Sequence, residues 1–257
     1  MSQNLLRERA LILAGGLGTR LSSVLPNRPK VLAPIAARHF IDILIDQLLV
    51  RGVRKLVLLL GNRGDQVIAH VKDRRAAWPA DLEVEFSVES SPLGTGGAVK
   101  LAERFCTGRF FLLNGDTYFD LDIAALLRMH EDSGALLTIA AAEVSDADRY
   151  GRLEVSADGL VKRFREKDTS AGPGLINAGV YLMAPAVLGH IPSGRAVSLE
   201  SEVFPALLMG GQRIAVSAQH GTFFDIGTPS SYRGFVDFCR EQQLLRAGEV
   251  GIGNDQH

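Results

Sequence analysis

The sequence predicts an α/β fold: a Rossmann-like, doubly wound, mainly parallel sheet with an antiparallel insertion in its second half. Three observations predict it. Short apolar runs alternate with helix-like segments through residues 10–144, as crossover units between parallel strands require. Several of those runs are almost unbroken in apolar residues, the mark of strands covered on both faces. After residue 150 the pattern changes to two strand-like runs around Asp158-Gly159, a strong hairpin signal.

The elements follow in chain order. ALILA (10–14) is apolar, stops at glycine and reads as a buried strand. HFIDILIDQLLVRG (39–52) has helical spacing and a C-terminal glycine stop at Gly52. RKLVLLLG (54–61) is a second buried strand, and DQVIAHVKDRRAAW (65–78) a helix halted by Pro79. LEVEFSVE (82–89) alternates as a half-buried strand does. GGAVKLAERF (96–105) starts a helix, RFFLLNGD (109–116) is a strand, DIAALLRMHEDSG (122–134) a helix closed by glycine, and ALLTIAAAEV (135–144) a strand. In the second half, GRLEVSADGLVKRFREK (151–167) is the hairpin, INAGVYLMA (176–184) and TFFDIG (222–227) are strands, and SLESEVFPALLMGG (198–211) is a helix capped by Ser198 or Ser201.

A chain of 257 residues suits one large α/β domain or two small ones. No internal repeat or low-complexity linker divides it, so residues 1–246 are expected to form one domain and 247–257, polar and glycine-rich, a disordered tail. Hydrophobic residues are 46% of the chain and charged residues 22%, which gives a substantial core and an ordinary soluble surface. A net charge of −1 argues against a dedicated nucleic-acid binder but leaves room for a mononucleotide site with a few local cations. Cys106 and Cys239 fit no CxxC or Cys/His cluster, so they are expected to be plain thiols of a cytoplasmic protein. The N-terminal segment lacks the build of a signal peptide, and no apolar stretch approaches the ~20 residues of a membrane span.

The chemistry-bearing motifs sit where strands end. Gly15, Gly16 and Gly18 follow the first strand; such a turn lets backbone N–H groups approach an anion, with Arg20 and Lys30 as nearby cations. It is neither a P-loop, since GxxxxGK[ST] is absent, nor a dinucleotide fingerprint, since Leu21 stands where a third glycine belongs. A ligand-free tight turn is the alternative; the arginine and the Pro-Lys pair weigh against it. Asp116 follows a buried strand and Asp225 lies 109 residues later in a second apolar run. Two carboxylates at strand ends suit Mg²⁺, which prefers hard oxygen ligands; each alone could equally cap a helix. Asp120 and Asp122 read as cap or loop residues. Gly94, Gly96 and Gly97 precede a helix whose N-terminus could favour an anion.

At these residues the chain resembles the sugar-1-phosphate nucleotidyltransferases. LAGGLGTRL followed by RPKVLAPI is similar to their signature, and the likeness runs from about residue 10 to about 240. It implies a nucleotide half at about 10–145 and a sugar half at about 146–240. By the same resemblance, Leu13, Ala14, Gly15, Gly16, Gly18 and Thr19 hold the NTP, while Arg20 and Lys30 neutralise its triphosphate. Asp116 and Asp225 hold Mg²⁺, with Asp116 also at the sugar. VESSPLGTGGAVK (88–100) receives the base through Glu89, Gly94 and Thr95. Gly151, Glu166 and Asn177 contact the sugar, and Lys167 steers its 1-phosphate. An ionised Glu89 can accept both N1–H and the amine of guanine, which favours GTP. PLGTGG resembles a segment of mannose-1-phosphate guanylyltransferases. NGDTYFD, RYG, INAGVY and VSLESEVFP resemble a heptose subgroup, the D-glycero-D-manno-heptose 1-phosphate guanylyltransferases. The implied partners are GTP and a sugar 1-phosphate, in a cytoplasmic enzyme of surface polysaccharide synthesis, with a homodimer plausible for the family. Other NTP and sugar pairings, a non-catalytic nucleotide-sugar sensor and a nicotinamide oxidoreductase are the rivals; the broken dinucleotide fingerprint argues against the last. The six histidines are scattered without HxxxH or HExxH spacing, and Trp78 reads as helix packing.

Overall fold

The computed structural model describes residues 6–16, 18–21, 24–147, 150, 152–165 and 172–242. The proposed tail 247–257, Gly151, Glu166 and Lys167 lie outside the described residues. The chain begins with β1 (Arg9–Leu13), a tight helical turn at Lys30–Leu32, and the small hairpin β2 (Pro34–Ile35) and β3 (Arg38–His39). Next come α1 (Phe40–Val50), β4 (Lys55–Leu60), α2 (Gly64–Arg74), β5 (Glu83–Val88), α3 (Gly94–Leu101), β6 (Phe110–Asn114), β7 (Thr117–Phe119), α4 (Ile123–Ser133) and β8 (Leu137–Val144). The second half holds β9 (Arg152–Val155), β10 (Val161–Arg165), β11 (Gly174–Met183), α5 (Phe204–Met209), β12 (Ile214–Gln219), β13 (Phe223–Asp225) and α6 (Pro229–Glu241).

Among the described residues, nine strands form one sheet. β1 pairs in parallel with β4 on one edge and β6 on the other, and β4 pairs in parallel with β5. β11 runs antiparallel between β6 and β8, and β12 closes that side parallel to β8. The β9–β10 hairpin is antiparallel and joins β11 at Ile176. This is the mainly parallel sheet with an antiparallel insertion that the periodicity predicts. Alternate residues feed opposite faces, as the strand period of two demands. Ala10 and Ile12 of β1 join a core with α1, α2 and α4, while Leu11 joins a second core with α3 and α5. Trp78 packs in the first of these, as the sequence predicts, and its Nε1 donates to Asp46 at 3.1 Å.

Several elements depart from the sequence pattern. The predicted helix at 198–211 opens as a π-helical turn, Leu199–Val203, before α5; Ser198 is its cap, accepting the Ser201 N–H at 3.1 Å, and Ser201 is not. Pro205 explains the change of pitch, since it cannot supply the N–H that a continuous α-helix needs. The predicted helix at 65–78 ends at Arg74 and tightens into a short turn over Arg75–Ala77. β12 and α6 are elements that the pattern does not single out. The strand predicted at 222–227 is only the short β13, and it leaves the main sheet to pair with β7. Both cysteines are buried free thiols, as expected.

A third core seats β7 and β13 against α1 and α6. Phe235 is its centre: fully buried, with its ring 5.2 Å from those of Phe40 and Tyr118 and 5.4 Å from Phe224. Phe235→Ala should therefore lower unfolding stability by about 3–5 kcal/mol, read from the shift of the urea midpoint at unchanged slope.

Candidate active site

The chain passes from β1 through β4 to β5 on one side, then returns to place β6 on the other side of β1. That reversal opens a crevice beyond the carboxyl ends of β1 and β6, the place where open α/β sheets bind ligands. A cavity of about 650 Å³ occupies it. Leu13, Ala14, Gly15 and Gly16 line one wall; Glu89, Gly94 and Thr95 line another; Lys30 and Asp116 close the floor. These are nine of the residues that the sequence singles out, drawn from four separate segments. Gly18 and Arg20 lie past this wall: Arg20 is exposed on the turn Thr19–Leu21, near enough to Asp225 to favour its ionised form.

The two aspartates meet through backbone pairing. Asp225 is opposite Thr117 in the β7–β13 ladder, and the Ile226 N–H donates to the Asp116 carbonyl at 2.9 Å. Lys30 Nζ donates to Asp116 Oδ2 at 2.7 Å. An ammonium has three N–H donors, so this bond leaves two for a phosphate. Asp225 Oδ1 accepts the Gly227 N–H at 2.7 Å. Burial, then the neighbouring Asp116 charge, push the Asp225 carboxyl above its ordinary pKa; the Gly227 N–H, Lys30 and Arg20 oppose them incompletely. The pair thus carries negative charge that its surroundings do not fully neutralise. Asp122 is a helix cap, as predicted, accepting the Ala125 N–H at 3.0 Å.

The second glycine cluster is a hinge between two segments. Gly94 has φ +71°, and a Cβ there would stand 2.5 Å from the Val197 carbonyl oxygen. Gly96 and Gly97 both donate N–H to that same oxygen, at 2.8 and 3.4 Å. The start of α3 is therefore occupied by protein, and the anion-binding reading of this helix end falls. Glu89 is held by the loop it starts: its Oε2 accepts the Leu93 N–H at 3.0 Å. Its other oxygen lies 2.5 Å from where a Gly61 Cβ would be, and the Gly15 carbonyl oxygen 2.9 Å from it, so backbone as well as carboxylate crowds that position.

Sequence reasoning missed a network behind this wall. Thr95 Oγ1 donates to Glu200 Oε2 at 2.7 Å and accepts the Leu199 N–H at 2.8 Å. Ser198 Oγ donates to the same carboxylate oxygen at 3.1 Å. The Glu200 charge also faces the fully buried Tyr181, whose hydroxyl is held well above its usual pKa by burial and then by that charge. Asn177 donates to the Tyr181 oxygen at 2.9 Å, while its own Oδ1 accepts the Gly179 N–H at 2.9 Å. Asn177 and Asp225 are not in the cavity wall, and Asn62, Ser90, Ser91 and Asn114, not singled out by sequence, are. The serines carried a signal in their place in the ESSPLGTGG loop, and Asn114 in its place in NGDTYFD; Asn62 carried none. Asn114 Oδ1 is buried with no hydrogen-bond partner among the described residues.

A glycine turn and a lysine–aspartate pair at the switch point of a doubly wound sheet define a phosphate-handling nucleotide enzyme. The nucleotidyl transferase family model matches residues 9–242, and the chain belongs to that family. It is 32% identical over 228 residues to the D-glycero-alpha-D-manno-heptose 1-phosphate guanylyltransferase of Campylobacter jejuni, covering 89% of this chain and 98% of that one. It is 34% identical to the mannose-1-phosphate guanyltransferase of Aspergillus oryzae, covering 87% of this chain but only 62% of the fungal one. Among solved structures, HddC from Yersinia pseudotuberculosis complexed with GMP-PN superposes with a TM-score of 0.80 at 33% identity, covering 90% of this chain and 99% of that one.

The Asp225 geometry has a stability consequence. A carboxyl whose pKa is raised on folding binds more protons folded than unfolded, so stability falls as pH rises from the unfolded pKa through the folded one. At neutral pH the charge costs stability. Asp225→Asn keeps an acceptor for Gly227, so without divalent metal at pH 7 it should melt above wild type. That gap should close as pH falls below the carboxylate range; differential scanning fluorimetry across pH reads it.

Proposed function

We propose that this protein joins GTP and a sugar 1-phosphate to give a GDP-sugar and pyrophosphate, with D-glycero-α-D-manno-heptose 1-phosphate as the sugar. The observation that carries the proposal is one cavity whose wall holds the glycine turn, the Glu89 loop and the Lys30–Asp116 pair together. The Campylobacter relative supports the base and the sugar, and the GMP-PN complex of the Yersinia relative supports the base. The reaction is an in-line displacement. An oxygen of the sugar 1-phosphate forms a bond to the α-phosphorus of GTP, and the bond to the β-phosphate bridge breaks. The electron pair leaves with pyrophosphate, so no covalent enzyme intermediate is needed.

The chain's own work is positioning and charge neutralisation. The Gly15–Gly16 backbone and the free donors of Lys30 hold the triphosphate, with Arg20 at its solvent side and Gly18 and Thr19 completing the turn. Glu89, tied by one bond to Leu93, has lone pairs left for the two donors of guanine. Asn177, Gly151 and Glu166 hold the sugar, and Lys167 brings its phosphate to the reacting atom. The paired, incompletely neutralised oxygens of Asp116 and Asp225 fit Mg²⁺, which when bound would offset the charge that builds on the reacting phosphates. In this reading residues 1–246 work as one cytoplasmic domain, and the product feeds surface polysaccharide synthesis.

Mannose 1-phosphate is the second reading, favoured by the mannose-1-phosphate relatives and by PLGTGG. Pyrophosphate release, measured with Mg²⁺ for four NTPs against heptose, mannose, glucose and N-acetylglucosamine 1-phosphates, separates the two. Release with GTP and heptose 1-phosphate is expected; release only with UTP, CTP or dTTP defeats the Glu89 assignment. Asp116→Asn should lower kcat by at least about 100-fold with an unchanged circular dichroism spectrum, and wild-type turnover would remove Asp116 from the mechanism.

A further inference from the structure

Folding brings together three side chains that the linear sequence keeps apart. His39 precedes α1, Asp42 lies in its first turn, and His70 comes from α2. One ligand atom from each falls within 4.8 Å of the others. Asp42 is 1% exposed, and its carboxylate is aimed by the His39 backbone N–H, which donates to Oδ2 at 2.9 Å. His70 Nε2 lies 2.8 Å from Oδ1. His39 Nδ1 lies 3.9 Å from Oδ2, beyond hydrogen-bond reach, and the two rings stand edge to face with centroids 4.4 Å apart.

We propose that His39, Asp42 and His70 form a binding site for a transition-metal ion of the zinc class, separate from the cavity aspartates. Such an ion takes imidazole nitrogen and carboxylate oxygen at about 2.0–2.2 Å, so two of its ligands lie roughly 3.4 Å apart at a tetrahedral angle and up to about 4.2 Å when splayed. The 3.9 Å His39–Asp42 separation falls inside that span, whereas the 2.8 Å His70–Asp42 contact is shorter, a hydrogen bond that an ion would replace by drawing the two groups apart. Two imidazoles and a carboxylate suit zinc, cobalt or nickel, whereas magnesium prefers oxygen alone. The His39 ring faces the Asp42 N–H in a capping box, which needs an unprotonated nitrogen there. Burial, then the neighbouring His70, keep the His39 ring neutral by lowering its pKa. Neutral imidazole is the ligating form. Binding an ion at Nδ1 would release the Asp42 N–H, and because Asp42 is buried the loss of that partner lowers the affinity.

Two guanidinium groups oppose the cation. Arg74 Nε stands 4.0 Å from Asp42 Oδ1, and Arg28 lies within electrostatic range of His39. They set the affinity below that of a closed four-ligand zinc site. The ion's structural effect is nevertheless plain. His39 pairs with Pro34 in the β2–β3 hairpin, and α2 follows Gly61 and Asn62 of the cavity wall. A metal here would staple the hairpin and α1 to α2.

The test uses the full chain, stripped with a chelator and titrated with Co²⁺ in excess Mg²⁺, so that magnesium competes for the cavity aspartates. The wild type should show one equivalent of Co²⁺ with visible absorption from a nitrogen-containing site, and a raised Tm. His39→Gln and His70→Gln should each weaken binding at least about tenfold, since a direct ligand is worth no less than the outer partners whose loss costs about 10–100-fold. Asp225→Asn should leave the band intact. No band in a wild type shown folded by circular dichroism, a band that survives both histidine variants, or one that vanishes in Asp225→Asn would each overturn the assignment.

Discussion

The rest of the molecule depends on how β1 is paired. Its backbone is hydrogen-bonded on both edges, to β4 and to β6, in one parallel register from Ala10 to Leu13. Its edges are satisfied by that pairing and its two faces are buried in the two cores, so the ligand approaches it at its carboxyl end. Because its two neighbours belong to crossovers that leave in opposite directions, no connection covers that end. A glycine turn placed there meets a ligand by topology alone. The same register puts Asn114 beside Leu13, and Asp116 then follows into the crevice.

Charge placement is then enforced by backbone rather than side-chain preference. Burial, and then repulsion between the two carboxylates, raise the pKa of Asp225. What holds them is the β7–β13 ladder with its Ile226 bond, backed by the aromatic core around Phe235. Core packing remote from ligand thereby sustains a local arrangement that electrostatics opposes. Strain of this kind is what a functional site shows when its surroundings over-determine it.

Much of this was legible in the sequence because the signals are local. Strand β4 is read from an unbroken apolar run, α4 from its Asp122 cap and Gly134 stop, and the β9–β10 hairpin from Asp158-Gly159. Gly15, Gly16, Lys30, Gly94 and Asp116 are legible because strand ends and glycine turns are contiguous words, while Leu13, Ala14, Glu89 and Thr95 follow from the family resemblance that those words carry; all converge on one cavity. The illegible parts depend on pairing between distant segments. β13 has the composition of a core strand, yet it pairs with β7 outside the main sheet. Pro205 allowed the α5 region a different pitch from the simple helix its periodicity suggests. Glu200 sits in an ordinary acidic helix start, and only the fold sets it against Thr95 and Tyr181. His39 and His70 have no motif spacing because they belong to different elements, His39 to the end of β3 and His70 to α2.

The Glu200 network bears on how the two halves of the chain act together. The loop at Gly94–Gly97 is zipped to Val197 by backbone bonds, and Thr95 continues the connection through Glu200 and Tyr181 to Asn177. Each member is hydrogen-bonded, and Tyr181 is wholly buried, so breaking one link leaves a polar group without water to replace it. Movement of the loop that carries Thr95 is therefore resisted by the strand that carries Asn177, and the reverse holds as well.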